Sequence, residues 1–109
     1  MILFSLIALK NGENIMNSFE TKSKLGNGIL YVTNLGIVFE AKTRGLILEL
    51  PFTILRTFEV KKKNVLILSW DEPDKSQRFS FECKIEHAKA VENEIQLANQ
   101  EFVRKNSDF

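Results

Sequence analysis

The chain has 109 residues, 44% of them hydrophobic and 27% charged, which is typical of one globular domain. Its 15 basic and 14 acidic residues give a formal net charge of +1, and this balance argues against a dedicated nucleic-acid binder. The single cysteine excludes an intrachain disulfide and favours a cytoplasmic location. We therefore expect a single domain over residues 1–109, with its core at about 12–104.

The first ten residues, MILFSLIALK, are almost entirely apolar. They lack the basic start and the small-residue cleavage site of an export signal, and they are shorter than the roughly 20 residues of a membrane-spanning helix. We expect this segment to complete the fold as a strand or short helix. The alternative is that it is buried against a second copy of the chain in a homodimer.

Strand-like alternation dominates residues 13–83. Glu13–Lys22 is the first predicted strand, with Ile15 and Phe19 facing inward. Successive side chains of a strand point to opposite faces, so alternation of apolar and polar residues predicts a sheet with one buried face. Six further strands are predicted in this way: Ile29–Thr33, Ile37–Glu40, Leu46–Leu50, Ile54–Val60, Val65–Trp70 and Arg78–Cys83.

Short turn segments rich in Gly, Pro, Asn and Asp separate these strands. We expect a tight hairpin at Asn34 and Gly36, because Asn34 tolerates turn conformations and Gly36 can adopt a positive φ. Gly26–Gly28 is expected to be a hairpin loop.

The last quarter of the sequence changes to a helical period. Apolar residues recur every three or four positions, and the residues between them are mostly polar. This pattern predicts one amphipathic helix near residues 85–104 whose apolar stripe covers the open end of the sheet. The stripe consists of Ile85, Ala88, Val91, Ile95, Ala98 and Phe102.

Several short motifs occur in an order that is also found in a known group of domains. Gly12-Glu13 precedes the first strand, LYVTN covers Leu30–Asn34, and LELPFTIL covers Leu48–Leu55. Over about residues 12–103 the chain resembles GRAM and prokaryotic pleckstrin-homology (PH)-like domains. The resemblance implies a mainly β fold, a seven-stranded, partly open barrel capped by the C-terminal helix, and a non-enzymatic interaction module. The GLUE domain of the ESCRT-II complex is a more distant relative that binds ubiquitin.

Residues that could support catalysis have simpler structural explanations. Cys83 continues the inward phase of Phe79 and Phe81 and is expected to be buried and unreactive, while His87 lies on the polar side of the helix start. The acids of DEPD, Asp71–Asp74, are typical of a solvated turn. The sequence contains no metal-ligand spacing and no phosphate-binding glycine loop. We therefore expect no enzyme activity, cofactor or metal site.

Basic residues form the candidate ligand site. In lipid-binding PH domains the first and third inter-strand loops hold a head group, so the resemblance implies an anion site at Lys22, Lys24, Lys42 and Arg44. The acidic DEPD loop is expected at the same end, where it would repel phosphate. A second basic segment, VKKKN at Val60–Asn64, is expected to be a solvated hairpin turn away from this site.

The sequence favours a protein partner, either a peptide or a ubiquitin-like protein. Leu97 and Val103 lie off the main helical stripe and are the candidate interface residues. The alternative is peripheral binding, at the inner face of a membrane, to anionic lipid or phosphoinositide head groups through the basic loops.

Overall fold

The computed structural model describes residues 12–24, 26–42, 47–62, 64–71 and 78–106. These residues form antiparallel β-strands followed by a C-terminal helix, which confirms the predicted fold class. The elements are β1 (Ile15–Ser23), β2 (Gly26–Thr33), β3 (Gly36–Ala41), β4 (Ile47–Pro51), β5 (Leu55–Lys61), β6 (Val65–Asp71), β7 (Arg78–Ile85) and α1 (Ala88–Asn106).

The seven strands form one sheet in the order β4-β3-β2-β1-β7-β6-β5. The connection between β4 and β5 therefore joins the two outer strands. β1 pairs with β2 along most of its length, but it meets β7 only at Thr21, Lys22 and Ser23. This short contact divides the sheet into two halves, β1–β4 and β5–β7, that enclose the core between them.

Helix α1 covers the inner face of the sheet. It packs against β2, β3, β5 and β6, and its apolar stripe is buried at Ala88, Val91, Ile95 and Ala98. Phe102 continues the stripe and packs against Phe52, with 5.6 Å between the ring centroids. The strands contribute a cluster of buried side chains to the same core: Leu30, Val32, Ile37, Phe39, Ala41, Leu50, Leu66, Leu68, Trp70 and Ile85.

The helix begins later than its sequence period indicates. Ile85 is the last residue of β7, and a turn at Glu86 and His87 precedes the first helical residue, Ala88. His87 has φ 57°, a left-handed conformation that no α-helix accommodates, and its carbonyl oxygen accepts the amide of Ala90. The predicted inclusion of Ile85 in the helix was therefore wrong, although Ile85 is buried as expected.

The inward placement of Ile15 was also wrong. β1 begins at Ile15 rather than Glu13, and its register with β2 shifts between Ile15 and Asn17. Asn17 pairs with the core residue Val32, but Ile15 pairs with Thr33, the next residue of β2, whose side chain points to the opposite face of the sheet. The irregularity thus turns Ile15 to the outer face, where it is exposed. Phe19 lies beyond the shift and packs against the core as predicted.

Two turn predictions also differ from the structure. Gly26–Gly28 belongs to β2, and Gly36 opens β3 without a positive φ. The β2–β3 turn is instead closed by the Thr33 hydroxyl, which accepts the amides of Leu35 and Gly36 at 3.1 and 3.0 Å. Glycine is required at position 36 because a Cβ there would overlap the carbonyl oxygen of Leu50 on the neighbouring strand.

The motif residues at the start of the domain form a connected set of hydrogen bonds. The Thr33 hydroxyl lies 2.7 Å from a carboxylate oxygen of Glu13. The Asn34 side chain donates to the Gly12 carbonyl and accepts the Asn14 amide at 2.9 and 2.6 Å. These contacts tie the entry of β1 to the β2–β3 turn, which explains why Gly-Glu and Thr-Asn occur together.

Candidate functional site

A cleft of about 530 Å³ lies where the two halves of the sheet meet. Residues from β1, β2, β7, the end of β3 and the β5–β6 turn contribute to its walls, and most of their side chains are polar or charged. The lining consists of Glu20, Thr21, Lys22, Asn27, Gly28, Lys42, Asn64, Lys84, Ile85 and Glu86. It thus combines three lysines, two asparagines and two glutamates in one concave surface.

Lys22 and Lys84 face each other directly across the junction between β1 and β7. Cβ atoms of directly opposed residues in antiparallel strands lie about 4.5–5.5 Å apart, so two positive charges are held close together. Both side chains are exposed, and neither has an acidic partner among the residues that the structure describes. Like charges in this position destabilise the sheet, and an anion placed between them would relieve the repulsion.

Lys42 supplies the third positive charge. Its ammonium group lies 3.9 Å from the Glu20 carboxylate, and the two side chains are 56% and 88% exposed. The backbone at this point is well fixed, because the Lys42 amide donates to the Asn27 carbonyl at 2.8 Å. Counting only the residues that the structure describes, the cleft therefore contains one lysine with an internal counter-ion and two lysines without one.

The β5–β6 turn forms one wall of this cleft, so the expectation that VKKKN lies away from the other basic residues was wrong. Asn64 lines the cleft, and its carbonyl oxygen accepts the Ile85 amide at 2.9 Å. Lys61 and Lys62 lie three and two residues before Asn64, and both are exposed. The register of the sheet causes this placement. Lys84 of β7 pairs with Lys22 of β1 on one side and with Val65, the first residue of β6, on the other.

The prediction that the acidic DEPD loop lies at the same end as the basic residues concerns a segment that is mostly outside the described residues. Residues 72–77 lie outside the described part of the chain, but the strand ends on either side of them, Asp71 and Arg78, are paired. This pair lies six residues along the ladder from Lys84, or roughly 20 Å at the spacing of a β-strand. At physiological salt this is about 2.5 Debye lengths, so Asp71 itself contributes little repulsion at Lys84.

Left-handed backbone occurs at two residues close in sequence to residues that line the cleft. Lys62 and His87 are the non-glycine residues with positive φ in the described chain, at 56° and 57°. Lys62 precedes the lining residue Asn64, and His87 follows the lining residue Glu86. Such conformations cost on the order of 1–3 kcal/mol each and occur frequently at ligand sites.

The structure brings together part of the predicted anion site. Lys22 and Lys42 line the cleft, whereas Lys24 lines an adjoining groove of about 350 Å³ with Lys22, Ser23, Glu82 and Lys84. Arg44 lies outside the described residues. Sequence reasoning missed Lys84, although the alternation of β7 was a usable signal because Lys84 continues the outward phase of Glu82.

The helix positions proposed as a protein interface are exposed but do not form one surface. Leu97 and Val103 are 64% and 53% exposed. The two residues are six positions apart, so at 100° per residue their side chains lie about 120° apart around the helix. Leu97 lies one turn beyond Glu94, whose carboxylate is 3.4 Å from the Asn17 amide of β1. Leu97 is therefore on the side of the helix that faces β1.

His87 is exposed and its imidazole contacts the Glu86 carboxylate at 3.4 Å. The side chain of Cys83 and residues 1–11, including the apolar segment proposed to form a homodimer, lie outside what the structure describes. Among the described residues, no three His, Cys, Asp or Glu side chains are grouped to hold a metal ion. The same described residues include no helical segment with the length and hydrophobicity of a membrane span.

Comparison with protein-family models and with curated proteins finds no match. Solved structures do match. The C-terminal domain of an unknown protein from Leishmania infantum has a TM-score of 0.67 at 11% identity, over 83% of this chain and 87% of that chain. The Vps36 N-terminal PH domain has a TM-score of 0.58 at 14% identity, over 93% of this chain and 87% of that chain. Together with the seven antiparallel strands and the C-terminal helix, these similarities identify the fold of this chain as PH-like.

Proposed function

We propose that this PH-like domain is a non-enzymatic module that binds peripherally to anionic membrane surfaces through the lysine-lined cleft. The observation that carries the proposal is the direct opposition of Lys22 and Lys84 at the cleft, with no counter-ion in the described chain. The sequence favoured a protein partner, but the cleft and the position of the β5–β6 turn give the membrane alternative the stronger structural support.

The expected affinity is modest. A basic residue close to an anionic membrane contributes about 1 kcal/mol, so Lys22, Lys42 and Lys84 together contribute about 3 kcal/mol, or roughly a hundredfold in affinity. Lys61 and Lys62 lie on the neighbouring turn and add to the same positive field. Salt at physiological concentration screens exposed charges beyond about 8 Å, so binding should weaken steeply as the salt concentration rises.

Co-sedimentation with vesicles tests this function. We expect the wild-type chain to bind vesicles of phosphatidylcholine with phosphatidylserine, and not vesicles of phosphatidylcholine alone. Lys42→Glu combined with Lys84→Glu should abolish binding. Arg104→Glu combined with Lys105→Glu is the matched control, because it makes the same change of four charge units at the exposed end of α1, away from the cleft. Equal binding by the double variant and the control would reject the cleft as the membrane site.

A protein partner remains the second candidate function. Its support is the exposed Leu97 on the side of α1 that faces β1, together with Met16, which is 55% exposed on that strand. Val103 lies on a different side of the helix and is not expected to contribute to the same surface.

Two single substitutions separate these alternatives. If a protein partner binds the α1–β1 side, Leu97→Asp should abolish its capture from a cell lysate and Val103→Asp should not. Neither substitution should change vesicle binding, because neither residue lines the lysine cleft. Capture of the same partner by both variants would contradict an interface on this side of the helix.

A further inference from the structure

We infer that Glu20 is an internal counter-ion that regulates the lysine cleft by competing with the anionic ligand for Lys42. The inference rests on the proposed function, because it concerns the same cleft. Glu20 and Lys42 both line the cleft, and the carboxylate lies 3.9 Å from the ammonium group. Within the described residues, an incoming anion therefore meets Lys22 and Lys84 without an acidic partner and Lys42 with one.

The strength of the Glu20–Lys42 contact suits an exchangeable partner. Both side chains are more than half exposed, and exposed ion pairs contribute only a small free energy. The contact is also long, close to the limit at which an ion pair is recognised. Glu20 is thus able to lower the affinity of the cleft for anions without closing it, and to release Lys42 when a stronger acceptor arrives.

The second acidic residue of the cleft provides an internal comparison. Glu86 also lines the cleft, but its carboxylate contacts the His87 imidazole at 3.4 Å rather than a lysine. Replacing Glu86 removes one negative charge from the same surface and leaves the Glu20–Lys42 pair intact. A direct effect through Lys42 is therefore separable from a general change in charge.

A double-mutant cycle tests the inference, with inorganic phosphate as the probe and amide and side-chain NMR shifts as the readout. Glu20→Gln should bind phosphate about two- to fivefold more tightly than the wild-type chain. Glu86→Gln should give a smaller gain. In the Lys42→Gln background the gain from Glu20→Gln should fall to that of Glu86→Gln, because the lysine that it releases is gone.

Equal gains from Glu20→Gln with and without Lys42 would overturn the inference, since Glu20 would then act only by repelling the ligand. No gain from Glu20→Gln would overturn it as well. Failure of the proposed function is recognised separately: the cycle would show coupling with phosphate, while anionic vesicles would not sediment the chain. Glu49→Gln is a further control, because Glu49 is an exposed residue of β4 that does not line the cleft.

Discussion

Lys22→Glu should change stability and membrane affinity in opposite directions. In the wild-type sheet Lys22 faces Lys84 directly, so the substitution replaces a repulsive cross-strand pair with an attractive one. Cross-strand pairs contribute roughly 0.2–1 kcal/mol, and both side chains are exposed, so we expect a gain of about 0.5–1 kcal/mol in the free energy of unfolding. For a domain of this size the gain corresponds to a rise of about 2–6 °C in Tm.

The same substitution should weaken binding to anionic vesicles. It changes the charge of the cleft by two units, which at about 1 kcal/mol per charge corresponds to roughly a thirtyfold loss of affinity. Thermal unfolding and vesicle co-sedimentation on one protein sample measure both effects. Lys24→Glu is the control for stability, because Lys24 lies beyond the end of β1 and outside its pairing with β7.

Salt dependence adds a further check on the reasoning. The stability gain from Lys22→Glu should shrink at high ionic strength, because the Debye length falls to about 3 Å at 1 M salt. A Tm that is unchanged or lower in Lys22→Glu at low salt would refute the repulsion between Lys22 and Lys84. A gain in stability without any loss of vesicle binding would instead leave the repulsion in place and reject its role in ligand binding.

Three further predictions concern the helix. Ile95→Ala should lower the free energy of unfolding by about 2–5 kcal/mol in urea titrations, because Ile95 is fully buried beneath the sheet, whereas Leu97→Ala should change it by less than about 0.5 kcal/mol. His87→Gly should raise stability by about 0.5–1 kcal/mol, because glycine adopts the left-handed conformation without a steric cost; a loss of stability would show that the imidazole holds the turn. The hydrogen bond from Arg104 lowers the pKa of Glu101. This pair therefore stabilises the fold at pH values above the pKa of the unfolded state, and the stabilisation is lost as the pH falls through the pKa of the folded state. NMR titration should show a higher Glu101 pKa in Arg104→Gln, and an unchanged pKa would contradict this cause.

Local patterns predicted the elements of this fold well. Strands such as β2 and β6 have a two-residue period, and α1 has an apolar stripe, because each element buries one face. A buried face requires apolar residues at a regular spacing, and this spacing is visible in the sequence. The misplaced details have local causes of a different kind. A register shift at Ile15 and a left-handed residue at His87 each reverse or end a pattern within one or two positions.

The candidate site was less accessible to sequence reasoning. Lys22 and Lys42 were found because the resemblance indicated their loops, but the neighbours of Lys22 across the sheet depend on where β7 meets β1. That stagger is a long-range property of the folded sheet and leaves no local signature. It explains why Lys84 was missed and why the β5–β6 turn, at Asn64, was assigned to the wrong place.

The three-residue contact between β1 and β7 has a mechanical consequence. It is the shortest of the strand pairings in the described sheet, so it is the place where the two halves separate most readily. An anion shared by Lys22 and Lys84 would bridge that contact from both sides. Ligand binding should therefore slow amide hydrogen exchange at Thr21–Ser23 and Cys83–Ile85 more than elsewhere. A ligand in the cleft would thus hold the two halves of the domain together more firmly.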